Sequence, residues 1–185
     1  MLCDMRGDHE KAVSYRKTAE EFARRWTSIA RDGDHFRLAF DQPDTWSQKY
    51  NLVWDRLLGL DLFPGEIARA EISYYKRQLL EFGWPLDSRS KYTKLDWEVW
   101  SASLAESQAD FQRLMSPVYS FVDQTPSRVP LPDWYYATDG KQCLYHTKAG
   151  RQIGFQARPV VGGVFMKVLM DASTWKKWSG KAQTR

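Results

Sequence analysis

A chain of 185 residues with 43% hydrophobic content is long enough to bury a core of ordinary size, so disorder of the whole chain is excluded. Nine Trp, nine Tyr and nine Phe indicate rings packed between helices or around a concave surface. The net charge of +4 comes from 27 basic and 23 acidic residues that are interleaved along the chain, which argues against a nucleic-acid partner.

The cysteines and histidines predict no metal site and no cofactor. Cys3 and Cys143 are too few for a disulfide framework and form no C-x-x-C pair, so two unpaired thiols are favoured. His9, His35 and His146 lie far apart in the sequence, without the spacing of a metal-ligand set. The first eight residues contain no apolar run like that of a signal peptide, and no apolar run of the chain has the length of a transmembrane helix, so no membrane partner is expected.

The first predicted helix begins near Asp8 and ends at Gly33. Its apolar residues recur at spacings of three and four, which is typical of one buried helix face. These residues are Ala12, Tyr15, Ala19, Phe22, Trp26 and Ile29.

The next two helices are predicted from a cap and from a proline. Thr45-x-x-Gln48 is a capping-box pattern, and the second helix is expected to follow it and to stop at Gly59. Pro64 suits the first turn of the third helix. Its apolar seam is predicted to be Ala68, Ile72, Tyr75, Leu79 and Phe82, with Gly83 and Pro85 at its end.

Two further capping boxes predict the fourth and fifth helices. Thr93-x-x-Asp96 precedes Trp97, Trp100 and Leu104, and Ser107-x-x-Asp110 precedes a helix that Pro117 should bend. Residues 159–169 are nearly all apolar, which predicts a sixth helix surrounded by others; a buried strand is the alternative. Gly162 and Gly163 within it are interpreted as helix-packing residues.

These elements predict an all-α fold of helical hairpins in an up-and-down array. Long connections enter the second, fourth and sixth helices, while short turns follow the second and the fourth. Every second connection of such an array lies on the same face, so the three long loops should meet at one end. Long loops in compact domains are often functional, and a polar, aromatic cleft is therefore expected there.

The candidate catalytic residues on these loops are Asp87, Lys94 and Asp96, because carboxylates and lysines carry acid and base catalysis. Asp96 also fits the third position of a capping box, and this structural role is preferred over catalysis. For Asp87, an ion pair with Arg89 explains the residue as well as a catalytic role does.

Aromatic and cationic loop residues are the candidates for substrate binding. An indole at a helix end can stack on a ligand, and an arginine before a proline-fixed turn can hold a carboxylate. Binding of the loops' own carboxylates and carbonyls is the slightly preferred alternative for Arg128 and Arg158. The predicted substrate-binding residues are Trp46, Tyr50, Arg89, Arg128, Asp133, Trp134 and Arg158. No Ser, Thr or Cys stands in a nucleophile-elbow pattern.

Several long motifs resemble the glutaminase A family. They are TWSQKYNLVWD at residues 45–55, PLDSR at 85–89, TPSRVP at 125–130 and ARPVVGG at 157–163, and the similarity runs from about residue 8 to about residue 171. The resemblance implies a largely secreted hydrolase that converts L-glutamine to L-glutamate and ammonia. It also implies a helical toroid of the six-hairpin glycosidase type behind a β-rich N-terminal region.

A full toroid of this type needs six helical hairpins, and three are counted in this chain. Residues 1–171 are therefore predicted to be the C-terminal part of the toroid domain, roughly half of the (α/α)6 array, and 172–185 a basic, frayed tail. The missing N-terminal half would then be a partner, and without it the chain should expose apolar surface and be inactive. Two alternatives remain, a glycoside hydrolase of the same toroid type and a truncated domain without activity.

Overall fold

The computed structural model describes residues 1–179. Within them the helices are α1 (Leu2–Met5), α2 (His9–Ala30), α3 (Leu52–Leu57), α4 (Gly65–Tyr75), α5 (Leu95–Ala102), α6 (Gln108–Gln124), a 3-10 helix (Pro159–Phe165), α7 (Met166–Leu169) and α8 (Ala172–Ser179). The strands are β1 (Arg31–Asp32), β2 (His35–Phe36), β3 (Tyr92–Lys94), β4 (Trp134–Tyr136), β5 (Leu144–His146) and β6 (Gln152–Gly154). They pair as three antiparallel two-stranded sheets, β1 with β2, β3 with β4 and β5 with β6. The fold is mainly helical, but it also contains these small sheets, so the prediction of an all-α fold is corrected.

Helix α2 begins where the sequence predicts. The Asp8 carboxylate accepts a hydrogen bond from the Lys11 N–H, which satisfies one of the free donors at the helix start. The predicted apolar face is half-buried along one edge, at Ala12, Ala19 and Trp26. Its other edge, formed by Tyr15, Phe22 and Ile29, is exposed in this chain.

The predicted start of the second helix is wrong, because Thr45 and Gln48 make tertiary contacts instead of a capping box. Helix α3 begins only at Leu52. The Gln48 side chain is buried and its amide donates to the carbonyls of Trp84 and Pro85. The segment 45–50 is thus an extended loop held against the chain near residue 85.

Helix α4 follows Pro64 as predicted but ends early. It stops at Tyr75, and the chain then forms turns through the segment predicted to be its last two turns. Phe82 lies beyond the helix and is still buried in the core, with 7% of its surface exposed. The apolar spacing therefore predicted burial correctly where it predicted the wrong secondary structure.

The capping box predicted at Thr93 is also wrong. Residues 92–94 form strand β3, which runs directly into α5, and no side chain caps that helix. The register pairs Thr93 with Tyr135 and Lys94 with Trp134. The third box is confirmed, because the Ser107 Oγ accepts a hydrogen bond of 3.0 Å from the Asp110 N–H at the start of α6.

The apolar segment 159–169 is neither a single helix nor surrounded by others. It forms the 3-10 helix and then α7, and Phe165 and Val168 are exposed. Gly163 packs closely on α5, where its carbonyl accepts a hydrogen bond of 2.9 Å from the Trp100 indole. A Cβ atom at Gly162 would have no heavy atom within 4 Å, so this glycine is not needed for close packing. The interpretation as a helix-packing residue therefore holds only for Gly163.

The segment predicted to be a frayed tail begins with α8. The Asp171 carboxylate accepts a hydrogen bond of 2.7 Å from the Thr174 N–H, as a residue at the start of a helix does. The prediction for residues 180–185 lies outside the described residues.

Helix α5 lies at the centre of the molecule and positions the loops around it. It packs against α3, α6, α7 and the 3-10 helix, and it continues directly from β3. The main core beside it contains Tyr75, Trp84, Leu114, Phe121 and Tyr135. Residues of the three long connections line one cavity near the start of α5, together with Phe63 of the short connection between α3 and α4.

Candidate active site

The cavity has a volume of about 740 Å³ and combines aromatic rings with positive charges. Residues from all three long connections line it: Ser47, Lys49 and Tyr50 from the first, Asp87, Arg89, Tyr92 and Lys94 from the second, and Trp134 and Phe155 from the third. Such a volume lies in the usual range for small-molecule sites. A small ligand with a negatively charged group fits this lining best.

One carboxylate, Asp133, holds two cations beside the cavity. Its Oδ2 lies 3.3 Å from the Lys94 Nζ, and its Oδ1 accepts a hydrogen bond of 3.0 Å from the Arg158 Nε. Burial by itself would raise the pKa of Asp133, but the Arg158 hydrogen bond and the Lys94 charge outweigh burial, and the pKa lies below its ordinary value. Asp133 is thus a buried anion that fixes Lys94 and Arg158.

Lys94 also packs among aromatic rings. Its Nζ lies 4.0 Å from the centre of the Phe155 ring and 5.5 Å from that of Trp134, distances at which a cation is attracted by a ring face. Burial lowers the pKa of Lys94, while the charge of Asp133 opposes that shift. The amine is therefore held rigidly at the cavity wall and loses its proton more readily than a surface lysine.

Asp87 and Arg89 form the ion pair that the sequence offered as one explanation of Asp87. The Arg89 Nε and Nη2 donate to the two carboxylate oxygens at 3.0 and 2.7 Å, and the Arg89 N–H donates at 2.9 Å. Asp87 is buried, whereas the Arg89 side chain is 63% exposed. Both residues line the cavity, and the Asp87 carboxylate is bound there by Arg89.

Asp96 lies behind the cavity wall, in the first turn of α5. Its side chain is buried, and within residues 1–179 its Oδ1 has no hydrogen-bond partner. Burial raises the pKa of Asp96, and the Asp133 charge acts in the same direction. The capping box that was preferred for Asp96 does not form, and the residue does not line the cavity.

Two aromatic residues of the cavity are preorganised by stacking and edge contacts. The Tyr50 ring stacks on Trp97 with 4.2 Å between ring centres and 7° between planes, and Trp134 packs edge-on against Tyr92. Flat rings fixed in this way give an apolar surface at small entropic cost on binding.

Trp46 and Arg128 are placed away from the cavity. Trp46 is buried in the core, where its ring packs against Tyr74 and Tyr75. The Arg128 guanidinium donates to the Asp123 carbonyl at 2.6 Å, near the C-terminal end of α6. Arg128 therefore binds a backbone carbonyl in the last turn of α6, a structural role like the one preferred for it from the sequence.

Two polar residues at the cavity, Ser47 and Lys49, were missed by the sequence reasoning. The Lys49 Nζ lies 2.8 Å from the Ser47 Oγ, and both residues line the cavity. Their spacing of two along an extended segment places both side chains on one side. That signal was hidden because the segment was assigned to a helix cap.

Residues 1–179 were also expected to hold no metal site and no membrane-spanning helix. No group of three or more His, Cys, Asp or Glu side chains is arranged to hold a metal ion, and Cys3 and Cys143 are free thiols. No helix in this part of the chain has the length and apolar character needed to cross a membrane.

Comparison with known proteins identifies the family. The glutaminase A six helical-hairpin domain matches residues 1–168. Glutaminase A of Aspergillus oryzae is 29% identical over 92% of this chain, and a probable glutaminase of Arthroderma benhamiae is 26% identical over 91% of it. The chain spans only 24% and 22% of the length of these relatives, and no solved structure matches. The predicted resemblance is confirmed: the chain belongs to the glutaminase A six helical-hairpin domain family.

Proposed function

We propose that the cavity is the substrate site of a glutaminase-type amidohydrolase, which converts L-glutamine to L-glutamate and ammonia. The observation that carries the proposal is the fixed pair of cations, Lys94 and Arg89, on an aromatic cavity wall in a chain of this family. Glutamine has one carboxylate and one side-chain amide, and each needs a polar partner in such a site.

Arg89 is proposed to bind the α-carboxylate of the substrate. Asp87 occupies the Nε and Nη2 donors, and a guanidinium has five N–H groups in a fixed fork, so donors remain for a second carboxylate. Asp87 then acts through Arg89, because its own oxygens are bound to that side chain. This assigns Asp87 a positioning role in place of direct acid or base catalysis.

Lys94 is proposed to donate a hydrogen bond to the amide group under attack. Asp133 and the Phe155 ring fix its position, and a preorganised donor stabilises the charge that develops on a carbonyl oxygen. Arg158 and Asp96 support Lys94 from behind, through Asp133 and through charge. Tyr50 and Trp134 supply the apolar walls for the substrate's methylene groups.

We further propose that this chain is one part of a longer enzyme and that it corresponds to the C-terminal part of the toroid. Support comes from the relatives, which are about four times as long as the segment they share with it. The remaining hairpins would close the other side of the cavity. Isolated, the chain is then expected to bind glutamine weakly and to turn it over slowly or not at all.

The test is glutamine binding by calorimetry together with ammonia release, with variants of two arginines. Arg89→Ala should weaken glutamine binding about 10-fold or more, since it removes a charge-assisted carboxylate contact. Arg128→Ala is the matched control, because the structure places Arg128 outside the cavity. Equal effects of the two substitutions, or no glutamine binding by the unaltered chain, would refute the proposed site.

A glycoside hydrolase is the second possibility, since the stacked rings of Tyr50 and Trp97 also suit a sugar ring. It requires two carboxylates flanking the scissile bond. Asp87 is bound to Arg89 and Asp96 does not line the cavity, so the structure supports this reading less well. Binding of oligosaccharides without binding of glutamine would favour it.

A further inference from the structure

The side chains of Ser47 and Lys49 meet at the cavity wall. The Lys49 Nζ lies 2.8 Å from the Ser47 Oγ, 2.9 Å from the Ser47 carbonyl and 2.9 Å from the Phe36 carbonyl. Ser47 is half-buried, so its hydroxyl is accessible to a molecule in the cavity. Three oxygen acceptors thus surround the Lys49 amine, and one of these acceptors, the Ser47 hydroxyl, can also donate a hydrogen bond.

This arrangement fits both protonation states of Lys49. As an ammonium, the side chain donates one hydrogen bond to each of the three oxygens. As a neutral amine, it donates to the two carbonyls and its lone pair accepts the hydrogen of the Ser47 hydroxyl. A proton can therefore pass from Ser47 to Lys49 without movement of either side chain, which is the geometric requirement for a nucleophile and its base.

The surroundings of Lys49 make its neutral amine more accessible at mildly alkaline pH than that of a surface lysine. Burial lowers the pKa of Lys49 to about 8, and the charges of Glu71 and Asp87 oppose that shift. Tyr75 also faces the segment, since its hydroxyl accepts the Lys49 backbone N–H at 2.7 Å, and Arg89 pairs with Asp87. A base whose pKa lies close to the working pH is the most effective kind.

We propose that Ser47 and Lys49 form a nucleophile and general-base pair that cleaves the side-chain amide of a small amino-acid amide bound in the cavity. The proposal rests on the function proposed above and assigns the attacking group for it. Lys94 and Arg89 keep the roles already given to them.

The reaction has two steps. The Ser47 Oγ attacks the amide carbon while Lys49 takes the hydroxyl proton; the C–N bond then breaks, and Lys49 returns that proton to the nitrogen, which leaves as ammonia. Water attacks the resulting ester, Lys49 takes a proton from the water, and the proton passes to the Ser47 Oγ as the C–O bond to serine breaks. No oxidant, reductant or cofactor is needed, and Glu71 and Asp87 stabilise the transient ammonium.

The test is covalent labelling of the 185-residue chain with a fluorophosphonate, which phosphonylates activated serine hydroxyls with release of fluoride and does not resemble glutamine. Peptide mass spectrometry locates the label, and the labelling rate is followed as a function of pH. We expect modification of Ser47 at a rate that rises with pH and levels off above about pH 8, as the neutral amine of Lys49 becomes dominant.

Two variants and two controls separate the chemistry from a structural role. Ser47→Ala should abolish the label, and Lys49→Arg should slow labelling about 100-fold, because arginine keeps the charge and the donors but is not a base at these pH values. Lys91→Arg and Ser90→Ala should label at the rate of the unaltered chain. Circular dichroism melting of each variant shows whether the fold is retained.

The outcomes distinguish this proposal from the proposed function. Absence of a label at Ser47 in the folded chain, or Lys49→Arg labelling at the unaltered rate, would overturn the pair. Ammonia release that persists in Ser47→Ala would overturn the pair and leave the glutaminase assignment standing. Labelling of Ser47 without glutamine binding would support the pair and refute glutamine as the substrate.

Discussion

At the scale of single residues, five of the seven charged candidate residues, Asp87, Arg89, Lys94, Asp133 and Arg158, are bound to one another. Asp133 binds Lys94 and Arg158, which lie 39 and 25 positions away in the sequence, and Asp87 binds Arg89. Residue type and loop position predicted that charged groups would gather here. They did not predict the pairs, because a pair across 39 residues depends on how the loops pack.

Asp133→Asn is expected to destabilise the chain by about 2 kcal/mol at neutral pH, because it leaves Lys94 and Arg158 without their countercharge. The estimate lies below the usual cost for a fully buried pair, since the Arg158 side chain is 38% exposed. The folded-state pKa of Asp133 is lowered, so its stabilisation is present above the ordinary value of 3.8 and is lost as pH falls below it.

Urea unfolding at several pH values measures this difference. The difference in unfolding free energy between Asp133→Asn and the unaltered chain should become smaller in acid. Asp123→Asn is the control, because Asp123 is exposed on α6, and it should change stability little. The assigned role would be contradicted if this difference in unfolding free energy stayed constant down to pH 3 or below, which is about one unit under the ordinary carboxyl pKa.

At the scale of elements, three capping-box patterns had different outcomes. Ser107 caps α6, whereas Thr45 and Thr93 lie in an extended loop and a strand. Both threonine segments are tied together instead, since the Gln48 amide donates to the Thr93 Oγ1 at 3.2 Å. A cap is a local contact of modest energy, and burial of strand β3 against β4 outweighs it.

Glu98 on the buried face of α5 offers a test of how this helix is held. Its Oε1 accepts a hydrogen bond of 2.8 Å from the Trp84 N–H, and its other oxygen accepts one from the Tyr135 hydroxyl. Burial raises the pKa of Glu98 well above its ordinary value of 4.5. The protonated form is therefore the one that the fold favours, and the stability it provides is lost as pH rises through the folded-state pKa.

Glu98→Gln is expected to be more stable than the unaltered chain at neutral pH by more than about 1 kcal/mol, because glutamine folds without burying a charge or taking up a proton. Its amide oxygen can accept from the Trp84 N–H, and its amide nitrogen can donate to the Tyr135 hydroxyl. The advantage should be smallest below pH 4.5, where the carboxyl is protonated in both the folded and the unfolded state. Thermal melting across this pH range measures it. Glu81→Gln, at an exposed position, should show no such pH dependence; lower stability of Glu98→Gln at neutral pH would contradict the argument.

At the scale of the whole molecule, helix α2 carries an apolar stripe that is only half covered. Tyr15, Phe22 and Ile29 repeat every seven residues and have 63%, 64% and 40% of their surface exposed. Their neighbours along the stripe, such as Trp26, pack on the second core cluster. The predicted exposure of apolar surface is found on this helix; the toroid and the place of this chain within it stay predictions.

Self-association is the expected consequence, because a contiguous exposed apolar stripe binds apolar surface of another copy. The double substitution Phe22→Glu and Ile29→Glu should leave the fold intact, since both side chains are exposed, and should shift the chain toward monomer in sedimentation velocity. Val13→Glu is the control: Val13 is 70% exposed but lies on a different side of α2. Equal association of the double variant and the unaltered chain would show that the stripe does not drive it.

The sequence alone determined features that depend on a few neighbouring residues. The caps at Asp8 and Ser107, the start of α4 after Pro64 and the family motifs are of this kind, since their signals lie within one or two turns of chain.

Only the tertiary structure decided how the site is made. Pairing of β3 with β4 brings Lys94 to Trp134 and Asp133, and the loop that resembled a helix cap brings Ser47 to Lys49 and Phe36. Helical periodicity repeats within a few residues and carries no information on such partners. Burial of segments far apart in the sequence selects them, since each polar group removed from water must find a partner.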